Sequence, residues 1–162
     1  MKSLLLIRHA KSSWNFDVED FDRPLNDRGK KSAPEMAKRL IKKDIKIDAF
    51  ISSPAERALS TAAYFIEEYG RKHKNIIKIP SLYEASNETY YSVIDELDND
   101  FKTVAIFSHN PGITDFANEL TNRRIEDMPT CAIFAVKVDI KKWKDFREGQ
   151  KEFWFFDYPK SD

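Results

Sequence analysis

Short apolar runs alternate with helix-periodic stretches along the chain, and that alternation constrains the fold more than any other feature. Lys2 to Ile7 reads as a first buried strand. Asn26 or Asp27 then caps a helix on which Ala33, Met36, Ala37, Leu40 and Ile41 recur at helical spacing. Pro34 lies inside that pattern and removes a backbone hydrogen bond, so a kink or a late start is expected. Asp48 to Ser52 reads as a second strand. Ser53-Pro54-Ala55-Glu56 has the form of a capping box with proline at the first helical position. Leu59, Ala62, Ala63 and Ile66 supply the stripe of that helix, and Gly70 its stop. Ile76 to Ile79 is a short third strand, and a helix carrying Tyr90, Val93, Ile94 and Leu97 opens near Ser86. Thr103 to Ser108 is a fourth strand. Asn110-Pro111 starts a helix with Ile113, Phe116, Ala117 and Leu120. Ala132 to Val138 is a fifth strand, and Glu152 to Tyr158 a sixth at an edge. Strands alternating with helices predict an α/β fold, here a three-layer α/β/α sandwich around a mostly parallel sheet of about six strands. No repeat, low-complexity tract or linker interrupts the 162 residues, which read as a single domain over 1–162.

Composition narrows the classes of partner. Lys+Arg and Asp+Glu are equal at 27 each, so bulk charge argues against nucleic acid and against acidic membranes. Any anion site must therefore be local. Cys131 is the single cysteine, which excludes an intrachain disulfide, and with three histidines it offers no zinc spacing. It lies in an apolar run and reads as a buried, inert thiol. No metal and no cofactor are expected. The apolar stretch Leu4 to Ile7 is too short for a signal peptide, and no stretch reaches transmembrane length. Those features predict the cytoplasm. The aromatic run Phe153-Trp154-Phe155-Phe156 reads as an edge strand packed on the core, with pairing between copies as the alternative. A monomer or a weak homodimer is expected.

In open α/β sheets, ligands bind beyond the carboxyl ends of the strands. The first strand runs directly into Arg8-His9, the fourth into His109, and the second reaches a helix whose first turn holds Arg57. A cation there faces the positive end of the helix dipole at a cost of roughly 0.3–1 kcal/mol. A bound anion would reverse that sign, because helix N-termini favour phosphate. A lone histidine at a strand end is usually structural. Two of them, each beside an anion-binding feature, point to a site. His73 lies in the polar run Gly70 to Lys74 and reads as solvated.

The residues also resemble a known family. Arg8-His9-Ala10-Lys11-Ser12-Ser13-Trp14-Asn15 resembles the RHGxSxWN signature of the histidine phosphatase (phosphoglycerate mutase-like) superfamily. Arg23-Pro24-Leu25-Asn26-Asp27-Arg28-Gly29 is similar to its LTxxG element. Ser52 to Ala58 with Thr61-Ala62 resembles its SSPxxRAxxTA helix start, and Ser108-His109-Asn110-Pro111-Gly112 its second-histidine motif. The compact length and the HNPG form resemble the SixA-type phosphohistidine phosphatase branch. Only 24 residues separate Glu84 from His109, which leaves little room for a substrate-capping insertion. Ala10 stands where the family often has glycine. Lys11 replaces an acidic residue common in the mutases and adds positive charge near the pocket.

This resemblance implies a phosphoglycerate mutase-like fold and a metal-independent phosphatase with His9 as nucleophile. A neutral imidazole is competent near pH 7 if an acceptor, such as a backbone carbonyl, holds its other nitrogen. Arg8, Arg57 and His109 are implied to surround the phosphoryl oxygens, with Asn15 and Asn110 also on the phosphate. Arginine suits the task because its planar fork binds phosphate bidentately. Glu84 is the candidate general acid, with an exposed loop carboxylate as the alternative. The implied partner is a phosphorylated substrate, on the SixA-like reading a phosphohistidine-bearing protein. The alternatives are a phosphatase or mutase acting on a small phosphorylated metabolite, and a non-catalytic phosphate- or phosphoprotein-binding module. Trp14 and Phe16 either wall the pocket or pack.

Overall fold

Successive side chains of the central strands point to opposite faces and are buried on both, which builds two cores, one on each side of a single sheet. In the computed structural model, which describes residues 1–14 and 17–160, the strands are β1 (Lys2–Arg8), β2 (Ala49–Ser52), β3 (Ile77–Lys78), β4 (Thr103–Ser108), β5 (Ile133–Val138) and β6 (Lys151–Asp157). The helices are α1 (Asp27–Lys42), α2 (Glu56–Glu68), α3 (Asn87–Asp95) and α4 (Gly112–Leu120). The strand order is β3-β2-β4-β1-β5-β6. β1, β2, β3 and β4 run parallel, β5 runs antiparallel to β1, and β6 antiparallel to β5.

Leu4 and Leu6 of β1 face the side covered by α3 and α4, where Tyr90, Ile94, Ile113 and Phe116 close one core. Leu5 and Ile7 face the opposite side, where α1 and α2 bring Met36, Ala37, Leu40, Phe65 and Ile66. A period of two along the strand thus feeds both layers, as a sheet buried on both faces requires. Asn26 is the α1 cap, its side chain accepting from the Gly29 N–H at 2.9 Å. The α1 helix does not start late; it runs from Asp27 through Pro34.

The chain leaves β1 toward β2 and leaves β4 in the opposite direction, toward β5. The carboxyl ends of β1 and β4 therefore flank a switch point, where open sheets form a ligand crevice. Arg8 is the register partner of Ser108, so His9 and His109 leave adjacent strands side by side. Gly112 opens α4 just beyond, and a Cβ there would lie 2.4 Å from the Ala85 carbonyl oxygen. Only glycine admits that approach, which presses the second-histidine segment against the loop before α3.

Three expectations need correction. Ser53 to Glu56 is not a capping box: α2 begins at Glu56, its cap position Ala55 has no side-chain cap bond, and Pro54 stands outside the helix. The Ser53 hydroxyl oxygen accepts from the Ala55 N–H at 3.2 Å, ahead of the helix, and its other contact is a tertiary one described below. The stripe of α2 is also rotated, with Arg57, Ala58, Thr61, Ala62, Phe65 and Ile66 buried and Leu59 and Ala63 only partly so. The third strand shrinks to Ile77–Lys78, both exposed, because β3 is a sheet edge with one neighbour.

β6 is the other edge. A bulge opposite Ala135/Val136 breaks its alternation, so Phe153 and Phe156 pack on one core and Trp154 and Phe155 on the other. All four rings are partly buried, as the packed-edge reading expects.

Candidate active site

Three chain segments meet at the β1/β4 crevice around a cavity of about 490 Å³ lined by Arg8, His9, Lys11, Ser12, Trp14, Arg23, Arg57, His109, Asn110 and Thr130. Arg8, His9, Arg57, His109 and Asn110 were all expected there. His9 Nδ1 lies 2.7 Å from the Ala10 carbonyl oxygen. A carbonyl can only accept, so Nδ1 carries the proton and Nε2 keeps its lone pair. The Arg57 Nε–H donates to that Nε2 at 3.3 Å. The His9 and His109 rings stand 5.3 Å apart.

The backbone beneath His9 is tightly held. The His9 N–H donates to the Ser108 carbonyl, and the Cys131 N–H to the carbonyls of Arg8 and His9. Cys131 adopts a left-handed φ of 62°, unusual for a residue with a side chain, and is fully buried with its thiol pushed up by burial. Its burial is as its context implied. The Ala10 N–H donates to Thr61 Oγ1, which itself donates to the Arg57 carbonyl, so α2 and the end of β1 are fastened together.

His109 shares a 2.8 Å hydrogen bond between Nε2 and Ser53 Oγ. Ser53 thus links the segment before α2 to His109. Tyr90 donates to Ser108 Oγ, which donates to the Leu82 carbonyl, and these bonds fix the end of β4. Arg8 donates from Nη1 to the Met128 carbonyl at 2.7 Å. Two buried polar atoms of this cavity, Arg8 Nε and His109 Nδ1, have no hydrogen-bond partner. Buried polar groups are nearly always paired, so two orphans in one cationic cavity suit an anion with several acceptors.

Asp20, Arg23, Ser53, Thr61 and Tyr83 are site residues that sequence reasoning missed. Asp20, in a single 3-10 turn, accepts from Arg57 Nη2 at 3.1 Å, from Arg23 Nε at 3.0 Å and from the Tyr83 hydroxyl at 2.5 Å. Arg57 Nη1 also donates to its carbonyl. The Tyr83 hydroxyl, together with Arg23 and Arg57, holds Asp20 well below the usual carboxylate range. Asp20 thus answers the misplaced charge of Arg57 in the first turn of α2. Arg23 is buried, donates to Ser12 Oγ at 2.6 Å, and stacks 3.9 Å beneath the exposed Trp14 ring. Trp14 is a wall of the cavity.

Glu84 does not line the cavity; it is exposed beside Tyr83, whose ring packs 5.5 Å from His109. Asn110 touches the cavity, but its amide donates to Asp127 and to the Met128 carbonyl. Asn15 and Phe16 lie outside the described residues. His73 is exposed and pairs with Glu67. Among the described residues, no group of three or more His, Cys, Asp or Glu is placed to hold a metal ion, and no helix is long and apolar enough to cross a membrane.

Residues 4–96 match the family model of the histidine phosphatase superfamily, branch 1. The chain belongs to this superfamily. His109 lies beyond the matched span, so its place rests on the geometry above. An uncharacterized chloroplastic protein of Arabidopsis thaliana is 27% identical over 153 residues, covering 89% of this chain and 70% of that one. A 2,3-bisphosphoglycerate-dependent phosphoglycerate mutase of Bartonella tribocorum is 30% identical over 102 residues. That alignment covers 61% of this chain and 48% of the mutase, so the chain spans about half of that relative's length. Among solved structures, one assigned to phosphohistidine phosphatase SixA of Agrobacterium tumefaciens superposes with a TM-score of 0.81 at 24% identity, over 98% of each chain. The protein histidine phosphatase SixA complexed with tungstate gives 0.83 at 21%, over 97% of each. The fold is phosphoglycerate mutase-like, as expected.

Both imidazoles of this superfamily member are neutral near pH 7. Burial first, then the neighbouring His109, Arg57 and Arg8, which disfavour a further proton, push His9 down to about 3. Burial, then Arg57, pushes His109 down to about 4. In the unfolded chain both revert to about 6.5, so between pH 6.5 and those lowered values the unfolded state binds more protons and stability falls as pH falls. At pH 5 the penalty is set by the unfolded value and amounts to about 2 kcal/mol for each histidine. The melting temperature should therefore drop on the order of 10 °C between pH 8 and pH 5. A His9→Asn/His109→Asn double variant should lose most of that drop; an undiminished drop in its melting curves would contradict the buried neutral pair.

Proposed function

We propose that this chain is a phosphatase that passes its substrate's phosphoryl group through His9 and acts on phosphohistidine in proteins. The observation that carries the reading is the His9 tautomer: Nδ1–H tied to the Ala10 carbonyl leaves an Nε2 lone pair facing the cationic cavity. In the first half-reaction Nε2 bonds to phosphorus as the bond from phosphorus to the leaving atom breaks. In the second, water attacks phosphorus, the phosphorus–Nε2 bond breaks, and inorganic phosphate departs. Phosphoryl transfer asks mainly for positioning and for charge stabilisation. Arg8, Arg57 and His109 would supply these, and the lack of any partner for Arg8 Nε and His109 Nδ1 supports an added ligand there. These groups suffice for the steps above without a metal. That a SixA protein of the same fold was obtained as a tungstate complex is in keeping with an oxyanion ligand. The chain's features fit the cytoplasm.

The leaving group decides how much acid catalysis is needed. An alcohol departs poorly without a proton, whereas the phosphorus–nitrogen bond of a phosphohistidine is intrinsically labile. Glu84, exposed and off the cavity wall, suits a site that asks little of an acid. Glu84→Gln should slow phosphomonoester hydrolysis more than phosphohistidine hydrolysis, read as kcat/KM on both substrates; equal slowing would reject the idea.

The mutase-like relative keeps a second reading alive, return transfer to a bound metabolite. A panel of a phosphohistidine protein, sugar phosphates and phosphoamino acids separates them. Inorganic phosphate released fastest from the phosphohistidine protein is the expected result. An isomerised sugar phosphate without net phosphate release would overturn it.

A further inference from the structure

A second cavity of about 300 Å³ adjoins the first and shares Lys11 and Thr130 with it. Its other lining residues include Arg28, Ser32, Tyr158 and Lys160. No aspartate or glutamate lines either cavity, although the chain carries as many acidic as basic residues. In the first cavity, Arg57 and Arg23 are answered by Asp20. Lys11, Arg28 and Lys160 take part in no ion pair among the described residues. Arg28 and Lys160 also line an adjoining third cavity, where Asp27 and Glu35 of α1 supply counter-charge. The surface shared with the first cavity carries Lys11, Arg28 and Lys160 and no carboxylate, and like charges gathered on one concave surface raise the local concentration of anions.

The cavity is built on anchored backbone. Lys11 O accepts from the Asn26 N–H, and a Cβ on Gly29 would lie 2.1 Å from that oxygen, so the first turn of α1 is seated on the Lys11 peptide. Arg28 and Ser32 are one turn apart on that helix. Across the cavity, Arg39 donates to the carbonyls of Tyr158 and Pro159, which holds the segment leading to Lys160 against α1. Three cations are thus carried to one place by contacts that do not involve the first cavity.

We propose that this second cavity binds a further anionic group of the substrate, a carboxylate or a phosphate, next to the phosphoryl group being transferred. The proposal rests on the phosphatase reading above. It gives Lys11 a role at the junction of the two cavities. On a protein substrate, the group would be an acidic side chain near the phosphorylated one; on a small molecule, a second phosphate or a carboxylate.

The test is steady-state kinetics on Arg28→Ala and on Arg28→Ala/Lys160→Ala, both outside the first cavity. p-Nitrophenyl phosphate serves as the reference without a further anion. A phosphohistidine peptide with and without flanking glutamates forms one arm, and a sugar bisphosphate beside its monophosphate the other. The expected result is a KM raised about fivefold for the glutamate-flanked peptide or the bisphosphate, with kcat little changed and p-nitrophenyl phosphate unaffected. The arm that responds identifies the source of the anion. An equal effect on all substrates, or none on any, overturns the subsite. If the wild type turns over none of these, the phosphatase reading fails by itself. The subsite then stands on calorimetric titration alone: a glutamate-flanked phosphoserine peptide should bind wild type about fivefold tighter than the double variant, and equal affinity would refute it.

Discussion

A His9→Ala variant should lose turnover by about four orders of magnitude on every phosphorylated substrate while still binding inorganic phosphate. The split follows from the division of labour in the cavity. Arg8, Arg57, Arg23 and His109 are held by contacts with Met128, Asp20, Ser12 and Ser53, and none of those is lost with the imidazole. The only Arg57 bond that disappears is the one from Nε. Anion affinity, measured calorimetrically, should thus stay within a few-fold of wild type. A variant that retains turnover would remove His9 from the chemistry. One that loses both turnover and phosphate binding would make His9 a structural residue.

Arg57→Ala should cost about a hundred- to a thousandfold in kcat/KM, the range for removing one charged donor aimed at a transferring group. Arg57 ties the nucleophile candidate His9 to Asp20. It donates to His9 Nε2, to the Asp20 carbonyl and to the Asp20 carboxylate. It also occupies the first turn of α2 with its side chain buried. Arg57→Lys should recover little of the loss, because an ammonium cannot reproduce the fork that reaches His9 and Asp20 together. Recovery by lysine to near wild-type activity would mean that bare charge is sufficient there. The Asp20 contact adds a second expectation. Without Arg57, the carboxylate keeps Arg23 and Tyr83, so the turn bearing Asp20 should remain seated and the loss should fall on kcat rather than on folding.

The sequence carried the frame well because its signals are local. Continuous apolar runs in β1 and β4 and helical spacing in α1 and α4 depend on neighbours within a few residues. Those strands also end at Arg8-His9 and Ser108-His109, so the two histidines were legible as a pair. What stayed hidden depends on tertiary choice. Ser53 satisfied the pattern of a capping box, yet its hydroxyl goes to His109, 56 residues away. The carbonyl holding His9 proved to be that of Ala10, its immediate neighbour, which no pattern of side chains could single out. Asp20 lies among Asp17, Glu19 and Asp22, and nothing in that acidic run marks which carboxylate turns inward to Arg57. Arg23 was visible only as part of a motif. Its burial and its position beneath Trp14 emerge once the chain folds.

Arg57 shows how a sequence argument can be right for an incomplete reason. Its unfavourable place at the start of α2 suggested a bound anion. The folded chain supplies part of that anion itself, as Asp20. On the proposed reading, a substrate phosphoryl group would join an existing ion pair instead of neutralising a bare guanidinium, and Arg8 Nε and His109 Nδ1 are buried nitrogens of the cavity with no hydrogen-bond partner.

The most direct test is to quench the protein in alkali during turnover, since phosphohistidine survives base and is lost in acid, and to map the phosphoryl group by mass spectrometry. A single phosphoryl adduct on the peptide containing His9, absent from His9→Ala and removed by acid, is the predicted result. A phosphoryl group mapped to any other residue, or rapid phosphate release with no adduct under single-turnover conditions, would contradict it.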